Sequence, residues 1–206
     1  MVIKQLYIVR HGETDFNRQN IVQGSGVDKE INELGQQQAQ LFYEHYQHIP
    51  FQHVFTSALV RTHQSVASFL QKGIKHTALA ELNEISWGDF EGKFQTAEQK
   101  DLYWETVTQW RNGILDAKIT NGESPIEMQA RQQVALQHIL NTNAENVLVC
   151  MHGRALKSFL CLMLNEPLTN MELFKHTNLC LYQLTYDGTK FSLVKANDTA
   201  HLEKQM

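Results

Sequence analysis

Arg10, His11 and His152 are the residues of this chain best placed to do chemistry. The first two end the run Leu6-Tyr7-Ile8-Val9-Arg10-His11-Gly12-Glu13-Thr14, an apolar stretch that breaks abruptly into polar residues. Such a run reads as a buried strand that delivers side chains to the carboxyl edge of a sheet, where open α/β sheets bind ligands. Asn146-Val147-Leu148-Val149-Cys150-Met151-His152-Gly153-Arg154 repeats the design: apolar strand, His-Gly, then arginine. Arginine offers phosphate a planar fork of donors, and histidine is a nucleophile or acid/base near neutral pH. One strand-end histidine reads equally well as a satisfied core or loop residue. Two, each followed by glycine, point to a shared site.

Arg61, just after the short run His53-Val54-Phe55-Thr56-Ser57, adds a further cation. Phosphoryl transfer needs the equatorial oxygens held while charge moves between attacking and leaving atoms. Arg10, Arg61 and one protonated histidine would do this without a metal. The other histidine, neutral at one nitrogen, would attack phosphorus and carry it as a phosphohistidine. A departing alkoxide needs a proton, and Glu84 in Leu82-Asn83-Glu84-Ile85-Ser86-Trp87-Gly88 is the best placed donor. Burial near aromatics would favour its protonated form and the arginines would oppose it; taken alone, it reads as a surface loop carboxylate. The pocket has no evident counter-charge, so phosphate or sulfate from buffer should occupy it.

The elements that must position these groups follow from pattern. Strand one spans about Ile3–Val9, and a helix runs from an Asn32 cap to Tyr46. After the strand at His53–Ser57 come a helix over Val60–Leu70, a stop at Gly73 and a weak strand at Lys75–Leu79. Ser86–Glu123 holds all three tryptophans and a polar helix near Thr96–Arg111, and reads as an insertion or lid packed beside the sheet. Ser124-Pro125-Ile126-Glu127 announces a helix to about Leu140 through a capping box with proline at the first helical position. The second His-Gly strand leads into a helix over Ala155–Leu164, and Leu179–Tyr186 with Lys190–Lys195 flank a hairpin turn at Asp187-Gly188. Strands alternating with helices predict a layered α/β fold in one domain, residues 1–206.

Composition narrows the function classes. The chain has 206 residues, 42% hydrophobic and 19% charged, enough for a sizeable core. A net charge of -4 without a Lys/Arg block argues against a nucleic-acid surface. No long uncharged apolar run suggests a membrane helix, and Met1–Gln5 flows into strand one without the layout of a signal peptide, which predicts a cytoplasmic protein. Cys150, Cys161 and Cys180 lack a CxxC pattern and read as small buried hydrophobes. His45 and His48 have no carboxylate or cysteine cluster beside them, so no metal site is expected. Exposed apolar residues of the insertion would offer a homodimer contact.

Five segments in order carry a family resemblance. Arg10-His11-Gly12-Glu13-Thr14 with Asn17 and Gln23-Gly24, Thr56–Thr62 around Arg61, Leu82-Asn83-Glu84 with Phe90-Glu91-Gly92, Gly122-Glu123-Ser124, and Met151-His152-Gly153 resemble the histidine phosphatase superfamily, in its phosphoglycerate-mutase-like branch. The resemblance spans nearly the whole chain. It implies a three-layer α/β/α sandwich with a mostly parallel sheet and the 86–123 insertion over the site. It implies His11 as the phosphorylated nucleophile, Arg10, Arg61 and His152 as the phosphate pocket, and Glu84 as proton donor and later base. Asn17, Gln23 and Gly24 would join the binding of a small phosphorylated metabolite, with no metal or organic cofactor. The implied activity is a phosphomonoester phosphatase; the alternatives are a phosphoglycerate mutase and an inactive phospho-ligand binding module. Asn32, His63 and Arg154 depart from the common pattern, and Arg154 reads as the solvent-facing start of a helix.

Overall fold

Alternation puts Leu6 and Ile8 on one face of the first strand and Tyr7 and Val9 on the other, and the fold buries both faces. The computed structural model describes residues 3–205; Met1 and Val2, read above as flowing into strand one, lie outside them. The chain runs β1 (Lys4–Arg10), α1 (Asp15–Arg18), α2 (Glu33–Tyr46), β2 (His53–Thr56), α3 (Val60–Ser65), α4 (Ala67–Leu70), β3 (Lys75–Ala78) and α5 (Ala97–Arg111). It continues through α6 (Pro125–Leu140), β4 (Asn146–Met151), α7 (Gly153–Leu164), β5 (Leu181–Tyr186) and β6 (Phe191–Asp198).

The strands form one six-stranded sheet in the order β3-β2-β4-β1-β5-β6. β1 to β4 are mutually parallel, whereas β5 pairs antiparallel with β1 and with β6. Leu6, Ile8, Val147 and Val149 pack against α6 and α7 through Met128, Leu136, Leu156 and Phe159. Tyr7, Val9, Leu148 and Cys150 pack against Phe42 and Tyr46 of α2 and Phe69 of α4. This is the expected three-layer sandwich.

The caps work as their residues predict. Asn32 Oδ1 accepts from Gly35 N at 2.9 Å, and Ser124 with Glu127 closes a capping box on α6. The helix expected over Val60–Leu70 is broken at Val66, whose φ/ψ of -121/14° is not helical. Ser65 causes part of this: its Oγ donates to Arg61 O at 2.6 Å and accepts from Gly12 N at 2.8 Å, drawing the turn towards β1. α7 starts at Gly153, two residues earlier than expected, and β6 continues past Lys195 to Asp198.

The insertion is part of the core. Trp87, Phe90, Val107, Trp110 and Ile119 are buried in the α6/α7 layer, and burying such side chains stabilises by roughly 1.5–3 kcal/mol each. Its outer face leaves Phe94, Leu102, Trp104 and Ile114 exposed. Among the described residues, no helix is long and apolar enough to cross a membrane.

Candidate active site

β1 and β4 are parallel neighbours with Arg10 level with Met151, so both strands end at the same height. His11 and His152 therefore meet, their ring centroids 5.1 Å apart. The glycine after each histidine is a close-approach requirement. A Cβ on Gly12 would lie 2.7 Å from Gly35 O, and one on Gly153 would lie 2.7 Å from the His176 ring. On the other side of β4, β2 leads through Ser57 into α3 and delivers Arg61.

His11 Nδ1–H donates to Gly12 O at 2.7 Å, which leaves the lone pair on Nε2 free. Burial, then Arg61 and Arg10, push its pKa well below the ordinary histidine value. His152 Nδ1 accepts from Arg61 Nε at 3.1 Å, and its Nε2–H donates to Ser57 Oγ at 2.8 Å. Burial and Arg61 hold it neutral in the same way. The sequence reading of one protonated histidine is thus corrected: a proton on His152 Nδ1 would face a guanidinium N–H. His176 is a third neutral imidazole, pushed down to about 3 by burial and Arg10, and its Nδ1 accepts from Arg10 Nη1 at 3.2 Å. Each arginine is aimed by a neutral histidine. Arg10 Nε and Gln23 Nε2 are buried donors with no partner among the described residues.

These neutral histidines carry a pH signature. The unfolded chain protonates them near pH 6.5 while the folded chain does not, so the unfolded state binds more protons below that pH and stability falls as pH falls. Urea titrations are expected to show a midpoint dropping between pH 6.5 and 5. In the same range, the His11 and His152 imidazole nitrogens should stay neutral by ¹⁵N NMR. A flat midpoint with both rings titrating near pH 6.5 would overturn this account.

Arg61 is fully buried, and burial lowers its pKa to about 10, still a cation at neutral pH. Its Nη1 donates to Val27 O at 2.8 Å and its Nη2 to Gly24 O at 3.2 Å. Gly24 therefore serves first as a brace for Arg61. The expected lack of counter-charge is also corrected, since Glu84, Asp28 and Glu91 all act on Arg61. Glu84 is buried, not a surface carboxylate. Its Oε2 accepts from Arg154 N at 3.0 Å, and its Oε1 accepts from Ala155 N at 2.7 Å and Ile85 N at 2.9 Å. His152 gives α7 no side-chain cap, so Glu84 satisfies the first N–H groups of that helix at the positive end of its dipole.

His11, His152, Arg10, Arg61 and Glu84 thus lie close together at the carboxyl end of the parallel strands. Residues 6–199 match the histidine phosphatase superfamily (branch 1). The chain belongs to the histidine phosphatase superfamily. A Yersinia pestis protein named "Probable phosphoglycerate mutase GpmB" is 30% identical over 97% of this chain and 95% of its own length. Two solved structures share the fold at 22% identity. The alpha-ribazole phosphatase from Shigella flexneri has a TM-score of 0.83, covering 94% of this chain and 96% of its own. The mycobacterial glucosyl-3-phosphoglycerate phosphatase, in complex with inorganic phosphate, has a TM-score of 0.81, covering 96% and 99%. Superfamily members named as phosphatases and mutases make this chain a phosphoryl-transfer enzyme.

In this histidine phosphatase, several residues that build the pocket carried no role in the sequence reading. Arg131 on α6 donates to the carbonyls of Glu81, Asn83 and Glu84 at 2.8, 2.9 and 3.1 Å and forms a two-pronged pair with Glu123. It fixes the backbone of the acid-bearing segment. Asn178 Nδ2 donates to His11 O at 3.0 Å and to Asn17 Oδ1 at 3.1 Å, clipping β1 to α1. No short motif announces Arg131, His176 or Asn178, because each reaches the site from a distant element. Asn17 and Arg10 open onto a cleft of about 510 Å³ whose far wall is Lys100, Tyr103 and Trp104 of the insertion. Gln23 Oε1 accepts from Thr14 Oγ1 at 3.1 Å. Cys150 is buried, and burial pushes its thiol pKa up. The solvent-facing reading of Arg154 is wrong: the residue is buried, with Tyr103 and Glu172 as partners.

Proposed function

We propose that this enzyme is a phosphatase that hydrolyses a small phosphomonoester through a phosphohistidine on His11, without a metal or organic cofactor. The observation that carries the reading is the His11 ring: Nδ1–H is committed to Gly12 O, burial and two arginines keep the ring neutral, and the Nε2 lone pair is free.

In the first step His11 Nε2 attacks phosphorus, the ester P–O bond breaks, and Glu84 gives its proton to the departing oxygen. Arg10 and Arg61 hold the equatorial oxygens, with Asn17 and Gln23 as further donors. In the second step water attacks phosphorus, Glu84 takes its proton, and the P–N bond returns its electron pair to Nε2. The alcohol half of the substrate would occupy the cleft between Arg10 and the insertion, whose aromatic wall and Lys100 suit an alcohol with both apolar and anionic parts.

The mutase-named relative keeps a second reading in view, in which the phosphohistidine passes its phosphoryl group to another substrate hydroxyl. Phosphate release from p-nitrophenyl phosphate and from 3-phosphoglycerate, both with EDTA, separates the two. Hydrolysis of the first with no 2-phosphoglycerate formed from the second supports the phosphatase. Isomer formation with little free phosphate establishes the mutase, and silence on both leaves a binding module.

A further inference from the structure

Arg154 joins the general-acid candidate to the insertion. Its backbone N–H donates to Glu84 Oε2 at 3.0 Å. Its guanidinium lies 5.5 Å from the centroid of Trp110 and 6.0 Å from that of Trp87. Nη2 donates to Tyr103 OH at 3.3 Å, and Nη1 pairs with Glu172. Tyr103 and Trp110 belong to α5, Trp87 lies three residues beyond Glu84, and Glu172 follows α7. Glu172 also takes Lys157 at 2.8 Å and Arg111 of α5 at 3.8 Å.

Two properties separate this residue from an ordinary buried ion pair. A guanidinium over aromatic faces within about 6 Å is held by the ring quadrupoles, and more strongly when desolvated. The same residue's N–H grips the carboxylate that the proposed reaction uses. The guanidinium anchors the far end of a residue whose backbone belongs to the first turn of α7, so the anchor and the grip on Glu84 share one residue. Geometry at that level matters, because a misplacement of about 1 Å at a reacting group costs on the order of 10²-fold in rate.

We propose that Arg154 is a positioning residue for proton transfer: by pinning α5 to the start of α7, it sets the orientation of Glu84 towards the leaving group. This rests on the reading of Glu84 as the proton carrier. A lock that serves only stability would slow all substrates alike, or change KM alone. A residue acting through the acid must instead discriminate by leaving group. p-Nitrophenolate departs with little help from a proton, whereas the alkoxide of glycerol 2-phosphate cannot.

The experiment measures kcat and KM on these two substrates for the wild type, Arg154→Met, Arg154→Lys and Glu84→Gln. In kcat/KM, which reports the step in which the leaving group departs and excludes the later attack of water, Arg154→Met, which fills the aromatic slot without charge, is expected to lose about tenfold on glycerol 2-phosphate and less than about twofold on p-nitrophenyl phosphate. Arg154→Lys keeps the cation and should recover part of the loss with the same substrate pattern. If Arg154→Met does not fold, Arg154→Lys decides by that pattern. Equal losses of kcat/KM on both substrates, or no change in it, overturns the proposal. Glu84→Gln supplies the control: with a leaving-group dependence there and none at Arg154, only the coupling fails; with none at Glu84, the acid assignment itself fails.

Discussion

His11→Ala is expected to abolish phosphate release, with a loss in kcat on the order of 10⁴-fold or more, since the covalent route has no other nucleophile. The cause is local. Among the described contacts of the ring, the hydrogen bond is the one to Gly12 O, so its removal deletes the attacking lone pair and leaves Arg10, Arg61 and Glu84 in place. The variant should fold and still bind inorganic phosphate. Rapid quench of the wild type with a radiolabelled phosphomonoester should trap an acid-labile, base-stable phosphoenzyme that the variant lacks. Activity within about tenfold of wild type would sink the nucleophile assignment. Lost phosphate binding together with lost activity would show instead that His11 shapes the pocket.

Arg61→Met should cost roughly 10³-fold in kcat/KM, because the guanidinium holds phosphate charge that develops in the transition state. The substitution also orphans three acceptors, Gly24 O, Val27 O and His152 Nδ1. Leaving buried groups unpaired costs about 1–3 kcal/mol, so a lower melting temperature should accompany the loss. The pH dependence is the sharper readout. Arg61 lowers the pKa of both His11 and His152, second only to burial. Without that cation both values rise, and His11 takes up a proton at a higher pH and ceases to be a nucleophile. The ratio of wild-type to variant kcat/KM, which reports the free enzyme, should therefore grow as pH falls from 8 towards 6. A ratio that is constant across that range would remove Arg61 as the cause of the neutral histidines.

Much of the site was legible because its parts sit where strands end. The two apolar runs closing in His-Gly placed His11 and His152 at one sheet edge, and parallel pairing of β1 with β4 is what makes those edges coincide. Arg61 was legible for the same reason, through β2 and the turn into α3. Capping chemistry read true at Asn32 and Ser124, since an N-cap is decided by residues within one helical turn. The helix over 60–70 was misread because Val66 and the bonds of Ser65 to Arg61 and Gly12 break it, and Gly12 lies 53 residues away.

Residue types and spacing alone therefore determined the layered α/β class, the strand-end histidines and arginines, and the phosphoryl chemistry they suit. Tertiary structure alone decided that Nε2 of His11 is free while both nitrogens of His152 are engaged, how Glu84 is gripped by the start of α7, that Arg131, His176 and Asn178 brace the site residues, and that Arg154 is buried. The physical reason is range. Strand and cap signals are local in the chain, whereas protonation and side-chain direction depend on burial and on partners brought from elements far apart in sequence. Arg154 shows this most clearly: its type suggested solvent, and the Glu172 carboxylate together with the aromatic slot built by Trp87, Tyr103 and Trp110 made burial of its charge favourable.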